Sequence, residues 1–488
     1  MVHQPADHPL ASAAPGGSAM NQQPSLRDVH GCLTGGLTEC LHSARSQVSA
    51  ARPRVLASFS MPSPHVEPFG LFTANREQVQ PACLWHVQAQ GQYRVGLGLA
   101  HEFNAGPADS WQTLENRWRD MAATAVVRGD HRPTLFGGFA FDRRQPRTRL
   151  WRDFPDAALT LPRFELHESD GQTRLIVNVL IDEHSQCDPL AEALAGEWAE
   201  ILARPLPGAP ATGDQFVRLS MAHLWKQDVF HAVNQIKRGG LEKVVLARSQ
   251  NVAAASPLEQ VMQRLMRKQP NAYLFAFARG SSCFMGASPE CLLTVRGDQL
   301  HTMALAGTAP RGVNSADDAR LGEQLLLSEK DNSEHAMVID CIRHGLAEHC
   351  LALDIACRPR LHKLPHIQHL LTPVQATLAP NASLLGIAQS LHPTPAVGGL
   401  PRNEALDYIR SHEQLDRGWY AGPIGWLDDQ GNGELAVALR SALLNGHRAT
   451  LFAGCGLVSG SEPESEYRES DLKMQAMREA LSGSGLPG

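Results

Sequence analysis

Two segments far apart in the chain each place acidic residues on a helical face that should be buried. In the helix predicted over 328–346, Glu334 shares its face with apolar side chains. Near the C-terminus, Glu466, Glu469 and Lys473 precede an apolar stripe at the same three- and four-residue spacing. Two carboxylates about 4 Å apart repel by roughly 4 kcal/mol at an effective dielectric near 20. If the two helices face each other, a cation must lie between them, which indicates an enzyme.

A lysine opens an apolar strand that precedes both helices. Lys243 begins the strand predicted over 243–249, shortly after the turn signal Gly239-Gly240. Burial lowers the pKa of a lysine, and a shift from about 10.4 to about 7.5 costs roughly 4 kcal/mol. The amine would then serve as a general base. Taken alone, however, this motif favours a solvated lysine at a strand end.

Glu290 interrupts an otherwise apolar segment, directly after Ser288 and Pro289. A buried glutamic acid has a raised pKa and can keep a proton for a leaving oxygen. The alternative is a glutamate turned outward at the bend, which an isolated motif favours.

Further along, the small residues around Gly307 and Thr308 can bring backbone N–H groups close to a ligand, although many ordinary turns look the same.

Alternation along the strand predicted over Glu434–Leu443 places Arg440 on a face that it shares with three alanines. The space around this guanidinium suits a bound carboxylate, and a salt bridge across the sheet is the alternative. The next predicted strand carries Gly454 and Gly456, which could both turn bare backbone towards the same ligand. His369 lies among apolar residues, and such a histidine is more often a core residue than a catalyst.

Composition excludes several classes of protein. The 488 residues carry a formal charge of −6, which provides no basic field for nucleic acid or an anionic membrane surface. No apolar run approaches the roughly 18 residues of a membrane helix, and the start lacks the features of a signal peptide. The ten cysteines form no C-x-x-C pair, as is typical of reduced thiols. Zinc, nucleotide-binding and G-x-S-x-G motifs are also absent. We therefore expect a cytoplasmic protein with no nucleic-acid or membrane partner.

The chain divides into three parts by composition. Residues 1–50 are rich in Ala, Pro, Gly, Ser and Gln, so we expect a disordered tail, with Met1 or Met20 as the true start. An N-terminal subdomain over 51–205 and a larger catalytic region over 215–485 follow, joined by a Pro- and Gly-rich stretch. Strands and helices mix without strict βαβ alternation, which favours an α+β fold.

Together, these segments resemble the chorismate-utilising enzymes over about residues 215–481. The markers occur in order along the chain and are Lys243–Arg248, Ser288–Glu290, Leu305–Thr308, Glu334-His335, His369-Leu370, Leu391–Ala396, Tyr420–Gly425, Glu466–Glu469 and Lys473. Because so many matches would have to coincide, the alternatives for single motifs no longer apply. The resemblance implies an α+β fold with two large antiparallel β-sheets packed as a sandwich, helices outside, and the site in a cleft between the subdomains.

Within this family, the residues are most similar to those of the isochorismate synthases. The resemblance implies a reversible, Mg²⁺-dependent conversion of chorismate to isochorismate. It implies that Lys243 activates water for attack on ring C2 and that Glu290 protonates the departing C4 hydroxyl. It further implies Glu334 and Glu469 as Mg²⁺ ligands, with Glu466 beside them. The substrate-binding positions that it implies are Gly307, Thr308, His369, Ala396, Tyr420, Arg440, Gly454, Gly456 and Lys473.

Other members of the family make different products. Anthranilate synthases usually carry a glutamine in place of Lys243, and aminodeoxychorismate synthases carry a lysine where this chain has Ala306. Salicylate synthases share the base and the acid and then eliminate pyruvate, but they tend to have a Thr-type residue where Ala396 stands. Isochorismate synthase is therefore the expectation, and salicylate synthase is the alternative. No glutaminase subunit is implied, because water is the nucleophile. The oligomeric state and the destination of the product (siderophore, menaquinone or salicylate) stay open.

Overall fold

Two β-sheets of twelve and ten strands, flanked by helices, form the protein. The computed structural model describes residues 26–106, 109–208, 222–364 and 367–482. The strands of these ranges are β1 (Val55–Pro62), β2 (Ala82–Val87), β3 (Gln92–Leu97), β4 (His101–Asn104), β5 (Val126–Arg128), β6 (Thr134–Phe139), β7 (Ala157–Leu161), β8 (Phe164–Ser169), β9 (Gln172–Ile181), β10 (Lys243–Ala253), β11 (Tyr273–Arg279), β12 (Ser282–Ser288), β13 (Cys291–Arg296), β14 (Gln299–Pro310), β15 (Cys350–Ile355), β16 (Arg360–Lys363), β17 (Ile367–Leu378), β18 (Gly399–Leu400), β19 (Pro423–Asp428), β20 (Gly433–Val437), β21 (Ser441–Asn445) and β22 (Arg448–Leu457). Their α-helices are α1 (Leu26–Arg45), α2 (Pro68–Asn75), α3 (Trp111–Ala122), α4 (Cys187–Ala203), α5 (Ala222–Lys237), α6 (Leu258–Lys268), α7 (Ser315–Leu327), α8 (Glu329–Leu346), α9 (Leu384–Leu391), α10 (Arg402–His412) and α11 (Pro463–Ser482).

Both sheets draw strands from both halves of the chain. The twelve-stranded sheet has the order β18-β10-β22-β21-β12-β11-β2-β3-β8-β9-β1-β5. The ten-stranded sheet runs β15-β17-β14-β13-β20-β19-β6-β7-β4, with β16 beside β17. Apart from the parallel pair β1–β5, the pairings are antiparallel. The expected α+β fold with two large antiparallel sheets is therefore confirmed. The division at 51–205 and 215–485 stays a prediction, and most of the joining stretch lies outside the described residues.

Large aromatic side chains fill the space between the two sheets. Trp85 on β2 donates its indole N–H to the carboxylate of Glu434 on β20, 3.0 Å away in the other sheet. Trp419, which precedes β19, packs edge-on against Phe277 of β11 with 5.6 Å between ring centroids. A buried tryptophan combines a large apolar area with one donor that needs a partner, and these contacts satisfy both. A second apolar core lies on the other side of the twelve-stranded sheet, under α1, α4, α6 and α11.

The prediction of a disordered tail over residues 1–50 is wrong from Leu26 onwards. Residues Leu26–Arg45 form helix α1, which packs on β1 and α4. Leu33, Leu37 and Leu41 are buried at four-residue intervals, so the segment carries an apolar helical stripe although it contains three glycines. Residues 1–25 lie outside the described part of the chain.

The strand predicted over Glu434–Leu443 is also wrong, because two strands in different sheets occupy this range. Strand β20 ends at Val437 in the ten-stranded sheet, and β21 begins at Ser441 in the twelve-stranded sheet. Arg440 lies in the crossing between them with a φ of 51°, a left-handed conformation that non-glycine residues rarely adopt. A similar crossing at Pro289-Glu290 joins β12 of one sheet to β13 of the other. Chain crossings between the sheets therefore carry two of the predicted site residues.

Candidate active site

One cleft contains all the residues that the sequence analysis assigned to a site. Its empty volume is about 1100 Å³, including the solvent at its mouth. The predicted residues that line it are Lys243, Glu290, Gly307, Thr308, Glu334, His369, Ala396, Tyr420, Arg440, Gly454, Gly456, Glu466, Glu469 and Lys473. The lining residues lie between positions 243 and 473, so the cleft belongs to the C-terminal part of the chain and not, as expected, to a boundary between subdomains. The roles given to these residues stay predictions.

Hydrogen bonds of Ser288 join the two crossings that carry Glu290 and Arg440. The hydroxyl of Ser288 donates to the carbonyl oxygen of Val437 at 2.5 Å and accepts the backbone N–H of Glu290 at 3.2 Å. The N–H of Val437 in turn donates to the carbonyl oxygen of Glu290 at 3.0 Å. These bonds satisfy backbone groups that leave their sheets at this point, so the crossing is held rigidly.

Glu290 is only 7 % exposed at the base of the cleft. Burial raises the pKa of its carboxyl to about 7, although the positive charges of Lys243, Lys473 and Arg440 and an interaction with Thr394 act in the opposite direction. A solvated glutamic acid is ionised at neutral pH, whereas this carboxyl keeps its proton in a large fraction of molecules. Glu290 therefore has the property that a general acid needs.

Lys243 is buried at the start of β10, and its amine lies 2.5 Å from a carboxylate oxygen of Glu334. The opposite strand, β22, has a glycine at this point. A Cβ atom at Gly456 would lie 2.8 Å from Cε of Lys243, so the missing side chain makes room for the lysine. The sequence analysis assigned Gly456 to the ligand, but in the structure it also provides the space in which Lys243 lies.

Two buried cations line the cleft, Lys473 on α11 and Arg440 in the crossing that precedes β21. The amine of Lys473 lies 2.7 Å from a carboxylate oxygen of Glu469 and donates to the carbonyl oxygen of Gly454 at 2.9 Å. Burial alone would lower the pKa of Lys473, but the charge and hydrogen bond of Glu469, together with the influence of Cys455, outweigh burial and raise the pKa. Arg440 makes no ion pair within the described ranges, and burial lowers its pKa. This guanidinium is therefore available to bind an anion.

Helices α8 and α11 supply the acidic residues. The side chain of Ser328 caps α8 by accepting the N–H of Asp331 at 3.2 Å, and Pro463 opens α11. In the described residues, Cys455, Glu466 and Glu469 form a group whose ligand atoms all lie within 4.8 Å of one another. Glu334 lines the same cleft but pairs with Lys243 and is not in that group.

The donor set of this acidic group suits a hard divalent cation. Burial and the neighbouring charge of Glu469 raise the pKa of Glu466, while the charge of Lys473 lowers the pKa of Glu469. Burial raises the pKa of the Cys455 thiol, which donates to the carbonyl oxygen of Glu466 at 3.1 Å. The thiol thus remains protonated and leaves carboxylate oxygens as the ligands. Such oxygens are the ligands that Mg²⁺ prefers.

Two neutral hydrogen-bonding side chains complete the lining. His369 is 7 % exposed, and its Nδ1 lies 3.0 Å from the hydroxyl of Thr308 and 3.2 Å from the carbonyl oxygen of Gly307. Burial and the charge of Arg440 lower its pKa to about 3, so the ring is neutral. Tyr420 is buried, and burial raises its pKa to about 12, so its hydroxyl keeps its proton.

Some residues of the cleft were missed by the sequence analysis. Lys330 and Asp331 line it from the first turn of α8, and Cys455 lies behind it. Arg417 is 1 % exposed and binds Glu413 with two of its nitrogens, at 2.6 and 2.7 Å. This pair lies after the end of α10, outside any helix, so its four-residue spacing did not predict the contact. No local pattern marked the other three.

The chain matches the model of the chorismate binding enzyme family over residues 41–482. It is 41 % identical over 464 residues to the salicylate biosynthesis isochorismate synthase of Pseudomonas aeruginosa, covering 92 % of this chain and 96 % of that protein. It is 34 % identical over 462 residues to the isochorismate synthase MenF of Bacillus subtilis, covering 91 % and 97 %. The solved structure of MenF, the menaquinone-specific isochorismate synthase of Escherichia coli, aligns with a TM-score of 0.74 at 29 % identity, covering 91 % and 99 %.

This protein therefore belongs to the chorismate-binding enzyme family, in agreement with the resemblance found in its sequence. Its two large antiparallel sheets are the fold that the family resemblance implied. Within the described ranges, no helix combines the length and the apolar character needed to cross a membrane.

Proposed function

We propose that this protein is an isochorismate synthase, which converts chorismate reversibly into isochorismate. One observation carries most of the weight: a buried amine at Lys243 and a buried, partly protonated carboxyl at Glu290 line the same cleft. A base and an acid on opposite faces of a ring allow water to enter while hydroxide leaves. The names of the relatives described above agree with this reaction.

In the proposed reaction, Lys243 takes a proton from the water that attacks ring C2. Glu290 gives its proton to the hydroxyl that leaves from C4, so one water is consumed and one is released. The product is an isomer of the substrate, and no covalent intermediate with the protein is needed. Because water is the nucleophile, the reaction requires no glutaminase subunit to supply ammonia.

Substrate binding follows from the charges in the cleft. Chorismate is a dianion, and Arg440 and Lys473 offer positive charge to its enolpyruvyl carboxylate, with the hydroxyl of Tyr420 as a further donor. His369 is neutral, so it can line the reacting face of the ring without attracting either carboxylate. The net charge of −6 is thus compatible with an anionic substrate, because the positive groups are collected in one place.

We further propose that Glu334, Glu466 and Glu469 hold a divalent cation, most suitably Mg²⁺, which would neutralise the ring carboxylate of the substrate. Glu334 has two partners in this proposal, because it also pairs with Lys243. The reduced cysteines support a cytoplasmic location, as the composition suggested.

The test is product analysis with purified protein and chorismate. We expect isochorismate when Mg²⁺ is present, loss of the product when a chelator is added, and recovery when Mg²⁺ is restored. We also expect the variants Lys243→Ala and Glu290→Gln to bind chorismate without turnover. Salicylate and pyruvate as the main early products would instead support a salicylate synthase, and normal turnover in either variant would refute the role given to that residue.

A further inference from the structure

We propose that Thr394 is a positioning residue for Glu290, whose hydroxyl orients the carboxyl and stabilises the carboxylate that forms when Glu290 gives up its proton. The role in catalysis rests on the proposed function, in which Glu290 is the acid. The pairing of the two side chains does not, because it is argued from the small cavity that both of them line.

The backbone of Thr394 is held firmly, but its hydroxyl is not. Thr394 follows α9 and is 8 % exposed. Its carbonyl oxygen accepts the N–H groups of Val397 at 3.1 Å and Gly398 at 2.9 Å. Its hydroxyl makes no hydrogen bond of ordinary geometry within the described chain, and Thr394 lines the same small cavity as Glu290. Buried hydroxyls are rarely left without a partner, so we assign Glu290 as the hydrogen-bond partner of this hydroxyl.

A small cavity behind Glu290 supports this pairing. It has room for about one water molecule and is separate from the main cleft. The third polar side chain that reaches it, Thr302, already donates its hydroxyl to the carbonyl oxygen of Leu292 at 2.6 Å. Apart from two sulfur-containing residues, the other walls are apolar and consist of Leu292, Leu305, Val338, Ile342 and Leu391. Glu290 and Thr394 are therefore left to bond each other, directly or through one water.

The chemistry of the acid explains why a neutral donor is useful at this point. Three positive groups act on Glu290, namely Lys243, Lys473 and Arg440. Lys243 and Lys473 are already paired with Glu334 and Glu469, and Arg440 is needed for the substrate. A hydroxyl donor strengthens its bond as negative charge develops on Glu290, so it favours the state after proton transfer over the state before it.

The test compares Thr394→Val, which keeps the shape but removes the donor, with Thr394→Ser, which keeps the donor. The carboxyl band of Glu290 is followed by infrared difference spectroscopy as pH is raised, in protein without ligands, with Glu290→Gln to identify the band. We expect Thr394→Val to raise the pKa of Glu290 by on the order of one unit and Thr394→Ser to match the unsubstituted protein.

In activity assays, Thr394→Val should move the alkaline limit of kcat/KM upwards and lower kcat about threefold, because the acid is weaker.

Equal titration of Glu290 in the Thr394→Val variant and the unsubstituted protein would overturn the proposal. An equal shift in Thr394→Val and Thr394→Ser would also overturn it, because it would show a packing effect and not loss of a donor. A loss of kcat in Thr394→Val with an unmoved pH limit would reject the stabilising role. The infrared measurement needs no turnover, so a protein that makes no isochorismate would refute the proposed function while leaving this result readable.

Discussion

Replacing Glu290 by glutamine should make the protein more resistant to unfolding at alkaline pH. Burial raises the pKa of this carboxyl from 4.5 to about 7. Because the folded pKa lies above the unfolded one, the folded protein binds the proton more tightly. Stability from this group is fully present below about pH 4.5 and is lost as pH rises through about 7. Glutamine has nearly the same shape and no charge, so the variant lacks this loss.

The size of the effect follows from the two pKa values. At about 1.4 kcal/mol per pKa unit, the gap between 4.5 and about 7 corresponds to about 3.5 kcal/mol in full, of which about 3 kcal/mol develops between pH 4.5 and pH 8. The free energy of unfolding of the variant, relative to that of the unsubstituted protein, should therefore increase by about 3 kcal/mol between pH 4.5 and pH 8. Such a difference is a large part of the stability of an ordinary domain, so it should be easy to detect.

The assay is urea unfolding followed by tryptophan fluorescence across this pH range, in protein without ligands. The matched control is Glu323→Gln on α7, because Glu323 is exposed. The control should follow the unsubstituted protein at each pH. Parallel stability curves for Glu290→Gln and the unsubstituted protein would refute the reasoning, since they would mean that Glu290 ionises equally easily in the folded and unfolded chains.

Two further substitutions test the geometry of the cleft. Arg440→Gly should fold normally, because glycine adopts a φ of 51° without strain. It should raise KM for chorismate about thirtyfold, because about 2 kcal/mol of charge-assisted hydrogen bonding is lost. The control is Arg358→Gly at an exposed position, where KM should not change, and an unchanged KM in Arg440→Gly would contradict the role of Arg440 in binding. Gly456→Ala should displace Lys243, since a Cβ would lie 2.8 Å from its Cε, and should lower kcat at least tenfold with little change in the unfolding midpoint. Gly460→Ala is the control, because nothing lies within 4 Å of a Cβ there, and equal kcat in both variants would show that Lys243 is not constrained by this contact.

Short-range patterns predicted the helices that carry the acidic residues. Glu334 on α8 and Glu466 and Glu469 on α11 lie on faces defined by residues three and four positions apart, and this spacing is visible in the sequence. Local spacing also marked Lys243 at the start of β10. The family resemblance then identified the α+β sandwich, because its markers follow one another in order over half the chain.

Patterns of the same kind were misleading where the chain changes partners. Alternation continues through 434–443, but Val437 pairs in one sheet and Ser441 in the other, so the chain turns at Arg440. Sequence alternation records which side of a strand is apolar and does not record which strand lies beside it. In the same way, composition alone suggested a tail at residues 1–50, whereas burial against β1 and α4 stabilises α1.

Residue types and their local spacing fix which chemical groups this protein has and which helices and strands carry most of them. The packing of the molecule sets which groups come together: Glu334 beside Lys243, Cys455 beside Glu466, and Thr394 at the same small cavity as Glu290. Partners in these pairs are separated by up to 104 positions or come from different elements, so no local pattern links them. The raised pKa of Glu290 has the same origin, because burial is a property of the packed molecule and not of the residue.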